Sequence, residues 1–220
     1  MHLDAAPDMG LEQFRRSARL NTGTVFLTLL PLACAWSCGL GLFKTMVALA
    51  LLHRYAPGGG LPGAMGLMGQ APWFWGIACL AALEVIVDIW PGMDVRWNRA
   101  TGLLRVAGAA ILAFMSASGD GMALQATWAV LGASVALFTY GVHAGARRAA
   151  QEAGTNVFVS PVTSVTETCM IFAILLPLSA MPVLSGLMLG FTALAGCLVL
   201  YLIFPSVKAA YAQMLFAPGR

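Results

Sequence analysis

Long apolar runs alternate with short polar or Gly/Pro-rich stretches along the whole chain. The runs cover residues 22–52, 73–90, 101–117, 122–144, 161–178 and 183–204. A bilayer-spanning helix needs ~20 mostly apolar residues, so the pattern predicts six membrane spans. The flanking pieces read as a cytoplasmic leader (residues 1–21), a transmembrane domain (22–204) and a cytoplasmic tail (205–220). Period-2 strand alternation is absent from the pattern, and the expected fold class is all-α and polytopic.

The first run is longer than one span requires. It carries Pro31, then Ser37, Gly39, Gly41 and Lys44. Proline and glycine in an overlong membrane helix predict a kink or break. Freed backbone groups are tolerated there only against protein or a wet cavity. The glycine- and proline-rich stretch 54–72 reads as an external loop; its Met65 and Met68 carry no metal-site spacing. Residues 93–100 read as a short polar loop. The fifth run is expected to start at Pro161, a favourable first helical position, and its opening turns are polar.

The second run changes the picture most, because it holds two carboxylates. Glu84 and Asp88 lie four residues apart and share one helix face. Eight Leu, Ile, Phe or Val residues between Trp73 and Ile89 return roughly 2.4–4.8 kcal/mol on insertion, against roughly 5–7 for two central acids. Alone, this helix inserts poorly, so its acids must face protein, a partner charge or water. Glu84 stands about eleven residues in from Trp73, roughly 16 Å along the axis and near the bilayer centre. Glu167 lies two turns inside the fifth run, with Ser164 one turn before it on the same face. Lys44 and Arg105 are the membrane cations within reach of such acids, and a purely structural role would be to tie helices together through them. Asp94 fits a helix cap or a partner of Arg96 or Arg99, and His143 fits an interfacial position with proton handling as its functional alternative.

Composition agrees with a membrane protein: 60% of the 220 residues are hydrophobic and 10% charged, where soluble domains carry about 25% charged. A net charge of +3 without a basic, aromatic-interleaved run gives no basis for nucleic-acid binding. Cys34, Cys38, Cys79, Cys169 and Cys197 all fall inside apolar runs, which reads as packing and not as a disulfide framework. With the N-terminus inside, nine Lys or Arg fall on cytoplasmic segments and only Arg54 outside. The positive-inside rule then puts both ends in the cytoplasm. Six spans also divide into three plus three, the arithmetic of an inverted repeat, with irregular polar segments in the first and fifth spans.

The polar positions resemble a small bacterial multi-pass membrane family catalogued as domain of unknown function 4126. The matching pieces are Ser37-Cys38-Gly39, then Glu84, Asp88, Pro91 and Asp94, then Arg105-Val106-Ala107-Gly108-Ala109. Later pieces are His143 with basic residues after it, and Ser160-Pro161-x-x-Ser164-x-x-Glu167-Thr168, in which Ser and Thr replace the usual Asn and Asp. Lys44 stands where members commonly have Arg, with altered spacing to the glycine. The resemblance implies a compact polytopic protein of a bacterial inner membrane and names no substrate.

These residues lead to an expected ion or substrate pathway of Glu84, Asp88, Lys44, Glu167, Ser164 and Asp94, supported by Arg105, His143, Ser37, Gly39, Gly41 and Pro161. The favoured class is a small transporter or channel-like protein with a buried acidic, proton- or cation-linked site. One alternative is a non-catalytic scaffold or accessory subunit, and a second is a lipid-processing enzyme. The HExxH, GxSxG, P-loop and CxxC spacings are all missing from the chain. Neither a cofactor nor a metal is expected. The expected partners are the lipid bilayer, an unidentified small molecule or ion, and a further copy of the chain.

Overall fold

The computed structural model describes residues 25–55, 61–90, 93–119, 121–205 and 208. The expected leader, Pro91, the side chain of Asp94 and most of the tail lie outside the described residues. Among the described residues, seven α-helices follow one another: α1 (Val25–Leu40), α2 (Leu42–Tyr55), α3 (Ala71–Ile89), α4 (Met93–Ser116), α5 (Met122–Glu152), α6 (Asn156–Leu175) and α7 (Pro182–Leu202). Two 3-10 helices, Gly63–Gly69 and Leu176–Ser179, complete the order. The fold is an all-α polytopic membrane protein. Among the described residues, five helices are long and apolar enough to cross a bilayer, and α1 is a shorter apolar helix that leads directly into α2.

Elements end where the backbone requires it. Pro72 sits in the first turn of α3, where its missing N–H costs nothing. Trp90, directly before Pro91, has turned extended (φ −81°, ψ 114°), as a residue preceding proline prefers. Gly119 closes the α4–α5 turn at φ +117°, a conformation side chains resist. The first expected span is indeed discontinuous, and its break falls at Gly41; Pro31 lies within α1 without interrupting it.

Several boundaries differ from the sequence pattern. The expected polar loop 93–100 is the first two turns of α4, and Asn98 and Thr101 are consequently buried. Likewise, α5 does not stop near residue 144 but continues to Glu152. In the fifth span, α6 starts at Asn156 and holds Pro161 within a continuous helix before tightening to the 3-10 turn at Leu176–Ser179. Thr163 supports the proline turn by donating its hydroxyl to the carbonyls of Val159 and Ser160. The described part of the Gly/Pro-rich stretch after α2, residues 61–70, is not a loose loop either. It folds back so that Met65 and Met68 enter the core, while the Leu61 amide donates to His53 Nδ1 at 3.0 Å.

Small residues set the closest helix contacts. A methyl on Gly132 of α5 would stand 2.6 Å from Ala113 Cβ and 3.1 Å from the Ala109 carbonyl of α4. A methyl on Gly39 of α1 would be tighter, overlapping Thr139 Oγ1 and standing 2.7 Å from the Ala136 carbonyl of α5. This is the small-residue packing that membrane helices use in place of a hydrophobic drive. The outer face is apolar: Phe191, Leu194 and Leu198 of α7 are exposed, as are Trp73, Trp75 and Ile86 of α3. These faces meet lipid, and the polar residues turn inward.

Candidate functional site

Inside this apolar shell, seven titratable side chains from five helices converge. Lys44 (α2), Glu84 and Asp88 (α3), Arg105 (α4), His143 and Arg147 (α5) and Glu167 (α6) are all buried, none more than 8% exposed. Three cations face three carboxylates, so with His143 neutral the set carries no net charge. Removing one ion from water costs several kcal/mol even after relaxation, and balanced pairing is what offsets that cost.

The first half of the network sits at the helix break. Lys44 donates its backbone N–H to Glu84 Oε2 at 3.2 Å. Glu84 Oε1 pairs with Arg105 Nη2 at 3.1 Å, and Arg105 Nη1 donates to the Leu40 carbonyl at 2.9 Å. Leu40 C=O and Lys44 N–H are the two groups, four residues apart, that a continuous helix joins directly. Here an ion pair bridges them. The carboxylate faces the N-terminus of α2 and the guanidinium faces the C-terminus of α1, each at the end of the helix dipole that favours it. Gly41 leaves room for the bridge: a Cβ there would lie 2.6 Å from Lys44 Cε and 3.3 Å from Glu84 Oε2.

The second half shares its charges. Lys44 Nζ meets Asp88 Oδ2 at 2.7 Å and Glu167 Oε2 at 4.0 Å. Arg147 Nη2 lies 3.4 Å from Glu167 Oε2 and 4.0 Å from Asp88 Oδ2, and its Nη1 donates to the Asp88 carbonyl, capping the end of α3. His143 Nδ1 is 2.5 Å from Glu167 Oε1, and its Nε2 is 3.2 Å from Asn98 Oδ1. Tyr140 OH donates to the Asn98 carbonyl at 3.3 Å. Two cations thus stand between two carboxylates, each within 4.0 Å of both.

Among the expected pathway residues, Glu84, Asp88, Lys44 and Glu167 meet in one network, and Arg105 and His143 join them. Ser164 is buried one turn from Glu167, and its Oγ has no partner among the described residues. Ser37 Oγ is likewise unpartnered, while the Ser37 carbonyl accepts the Gly41 amide at 2.9 Å. Gly39 serves α1–α5 contact and does not touch the charges. Pro161 lies within α6, one turn before residue 164. His143 is buried, and α5 runs two more turns past it.

Arg147, Asn98 and Tyr140 are the members that the apolar pattern conceals. Arg147 reads as one of a cytoplasmic pair with Arg148, but the two diverge. Arg147 turns inward, whereas Arg148 pairs with Glu152 at 2.9 Å on the polar side. The available signal is the four-residue step from His143 to Arg147, which puts both on one face. Without Arg147, the cytoplasmic count falls from nine to eight against one outside, and the orientation bias keeps its sign.

Two apolar hollows, of about 560 Å³ beside Phe43, Met68 and Leu80 and about 400 Å³ beside Trp36, Val135 and Phe138, have no network residue in their walls. Among the described residues, no three His, Cys, Asp or Glu converge as a metal-binding set; the carboxylates are turned to cations instead. Cys34 and Cys38 are buried and free, and Cys79, Cys169 and Cys197 are free on the outer face.

Comparison with curated proteins and with solved structures finds no match. The sequence profile of one family, a domain of unknown function (DUF4126), matches residues 28–202. That stretch spans the helices from within α1 to the end of α7 and takes in every residue of the charged network. The chain therefore belongs to the DUF4126 family.

Proposed function

We propose that this protein is a small membrane carrier whose charged centre is the pathway for a small ion or solute, and that the structure presents it closed. The observation that carries the reading is the helix break at Gly41, bridged by the Glu84–Arg105 pair in the middle of the apolar shell. Ionisable residues inside a membrane are costly and mark substrate and ion routes. Discontinuous helices are the standard means of exposing backbone groups to a transported species. The cations shared between Asp88 and Glu167 supply alternatives of similar geometry, which a moving centre requires. The same reading places the protein in a bacterial cytoplasmic membrane with both ends inside, supported by the charge bias, and relates its two three-span halves by an inverted repeat.

A second reading has its own support. Both Glu84 oxygens are satisfied by fixed donors, as in a lock that sets helix registry for a scaffold or accessory subunit. Reconstituted vesicles separate the two. Under an imposed pH gradient or membrane potential, the wild type should carry at least one member of a panel of small ions and polar solutes faster than empty vesicles. Lys44→Met should abolish that flux while remaining folded and monodisperse. Flux equal to empty vesicles across the panel, with either gradient, leaves the lock as the better reading.

A further inference from the structure

We infer that His143 and Glu167 together hold one dissociable proton, and that this pair, not Glu84, is the proton-binding site of the charged centre. Two contacts support the assignment. His143 Nδ1 and Glu167 Oε1 are 2.5 Å apart; a ring nitrogen lone pair and a carboxylate oxygen, both acceptors, approach so closely only with a hydrogen between them. On the other side of the ring, Nε2 lies 3.2 Å from Asn98 Oδ1; with the amide oxygen turned to the ring in this way, Nε2 carries the hydrogen of the neutral imidazole. The hydrogen at Nδ1 is therefore a second one. It belongs to the pair, as imidazolium with carboxylate or as imidazole with carboxylic acid, and in both forms the pair is neutral. Asn98 is positioned for this role by α4, through the Tyr140 bond to its carbonyl.

Glu84 is unsuited to the same task. Its two oxygens accept from the Arg105 guanidinium and from a backbone amide at the start of α2, donors that do not move with pH.

Among the described residues, charge reaches the pair from four helices. Lys44 comes from α2, Asp88 and Glu84 from α3, Arg105 from α4 and Arg147 from α5, beside His143 itself. Within their helical spans, α1 and α7 have no charged residue. With the pair protonated, Lys44, Arg105 and Arg147 outnumber Glu84 and Asp88 by one; with the proton gone, Glu167 restores balance. Loading therefore switches the described centre between a charge of +1 and zero.

The switch reaches other helices through Glu167 Oε2, which faces Arg147 at 3.4 Å and Lys44 at 4.0 Å. Both cations also lie within reach of Asp88 Oδ2. A proton arriving on the pair weakens the hold of α6 on these cations and leaves them to Asp88 on α3. Its departure returns them to Glu167. A proton here is thus the coupling ion of the proposed carrier. That coupling role rests on the carrier reading, whereas the proton site itself does not.

Solid-state nitrogen NMR of histidine-labelled full-length protein in lipid vesicles tests the site directly. The chain has three histidines, and His143→Asn assigns the signal. At acidic pH, both His143 nitrogens should show attached or shared hydrogen. On raising the pH, exactly one nitrogen, Nδ1, should lose it. Glu167→Gln should remove the shared-hydrogen signature, and the wild-type titration alone decides the matter should that variant not fold. A neutral ring protonated on Nδ1 only, at every pH, overturns the proposal; so does a folded Glu167→Gln protein with an unchanged signal. Vesicle flux keeps the two readings apart. The NMR signature without any flux leaves the proton site standing and removes the carrier, and flux without the signature removes the proton site.

Discussion

Arg105→Met should be among the most damaging single changes in the chain, and a second mutation should largely repair it. Arg105 is fully buried and holds two groups: Glu84 at 3.1 Å and the Leu40 carbonyl at 2.9 Å. Removing one partner of a buried ion pair costs about 3–5 kcal/mol, because the remaining charge is left uncompensated. A buried carbonyl deprived of its donor adds about 1–3 kcal/mol. The total of about 4–8 kcal/mol is a large part of the 5–15 kcal/mol by which domains are typically stable. Replacing both members by apolar residues of similar volume removes the stranded charge, and such replacements are often neutral or stabilising. It also frees the Leu40 carbonyl and the Lys44 amide to bond to each other, completing the rung that the ion pair bridges. Reversible unfolding in mild detergent should therefore show Glu84→Leu/Arg105→Met to be more stable than either single variant, with a coupling energy of at least about 3 kcal/mol. Additivity within about 0.5 kcal/mol would refute the bridge.

Other perturbations probe the same network, its packing and its orientation. Lys44→Met and Asp88→Asn should couple strongly in unfolding assays, because the ammonium meets Asp88 at 2.7 Å. Lys44→Met and Glu84→Gln should couple weakly, since Lys44 reaches Glu84 through a backbone amide that methionine keeps. Gly39→Ala should destabilise by about 1–3 kcal/mol or more, as for overpacking, because its methyl meets the Ala136 carbonyl at 2.7 Å; Gly41→Ala should cost less stability but shift Lys44, seen as a loss of its coupling to Asp88. A small maleimide should leave Cys34 and Cys38 unmodified until the protein is unfolded, and labelling of either before unfolding would count against the packing. Reporter fusions at Ser118 should read external and at Gln151 internal, given the charge bias of the flanks; the reverse pattern inverts the topology.

Much of the fold is legible from the apolar runs, because a membrane helix must satisfy its own backbone and must be apolar over a fixed length. The break in the first span is legible too, since Gly39 and Gly41 in an overlong run leave few continuous solutions. Helix ends are less so. Residues 93–100 read as a loop and the fourth span reads as ending near residue 144, yet 93–100 and 145–152 are helical, because a polar segment forms a helix as well as a loop. That error hides Asn98 and Arg147, which only a helical register turns inward. Pairings are the least legible part. From spacing, Glu84 is as good a partner for Lys44 as Asp88. The choice is made by where α4 delivers Arg105, a contact 21 residues away in sequence, and local periodicity carries no information about it.

The claim on which the carrier reading stands is that the charged centre opens to water. Ser164 reports it best, being 1% exposed and one turn from Glu167, with an unpartnered hydroxyl among the described residues. In a cysteine-free background, Ser164→Cys should react with a charged, membrane-impermeant thiol reagent in sealed vesicles. The rate should change when a pH gradient is imposed. A cysteine that reacts only after the protein is unfolded, whatever the gradient, would mean that the network is a permanent lock, and the carrier reading would fall.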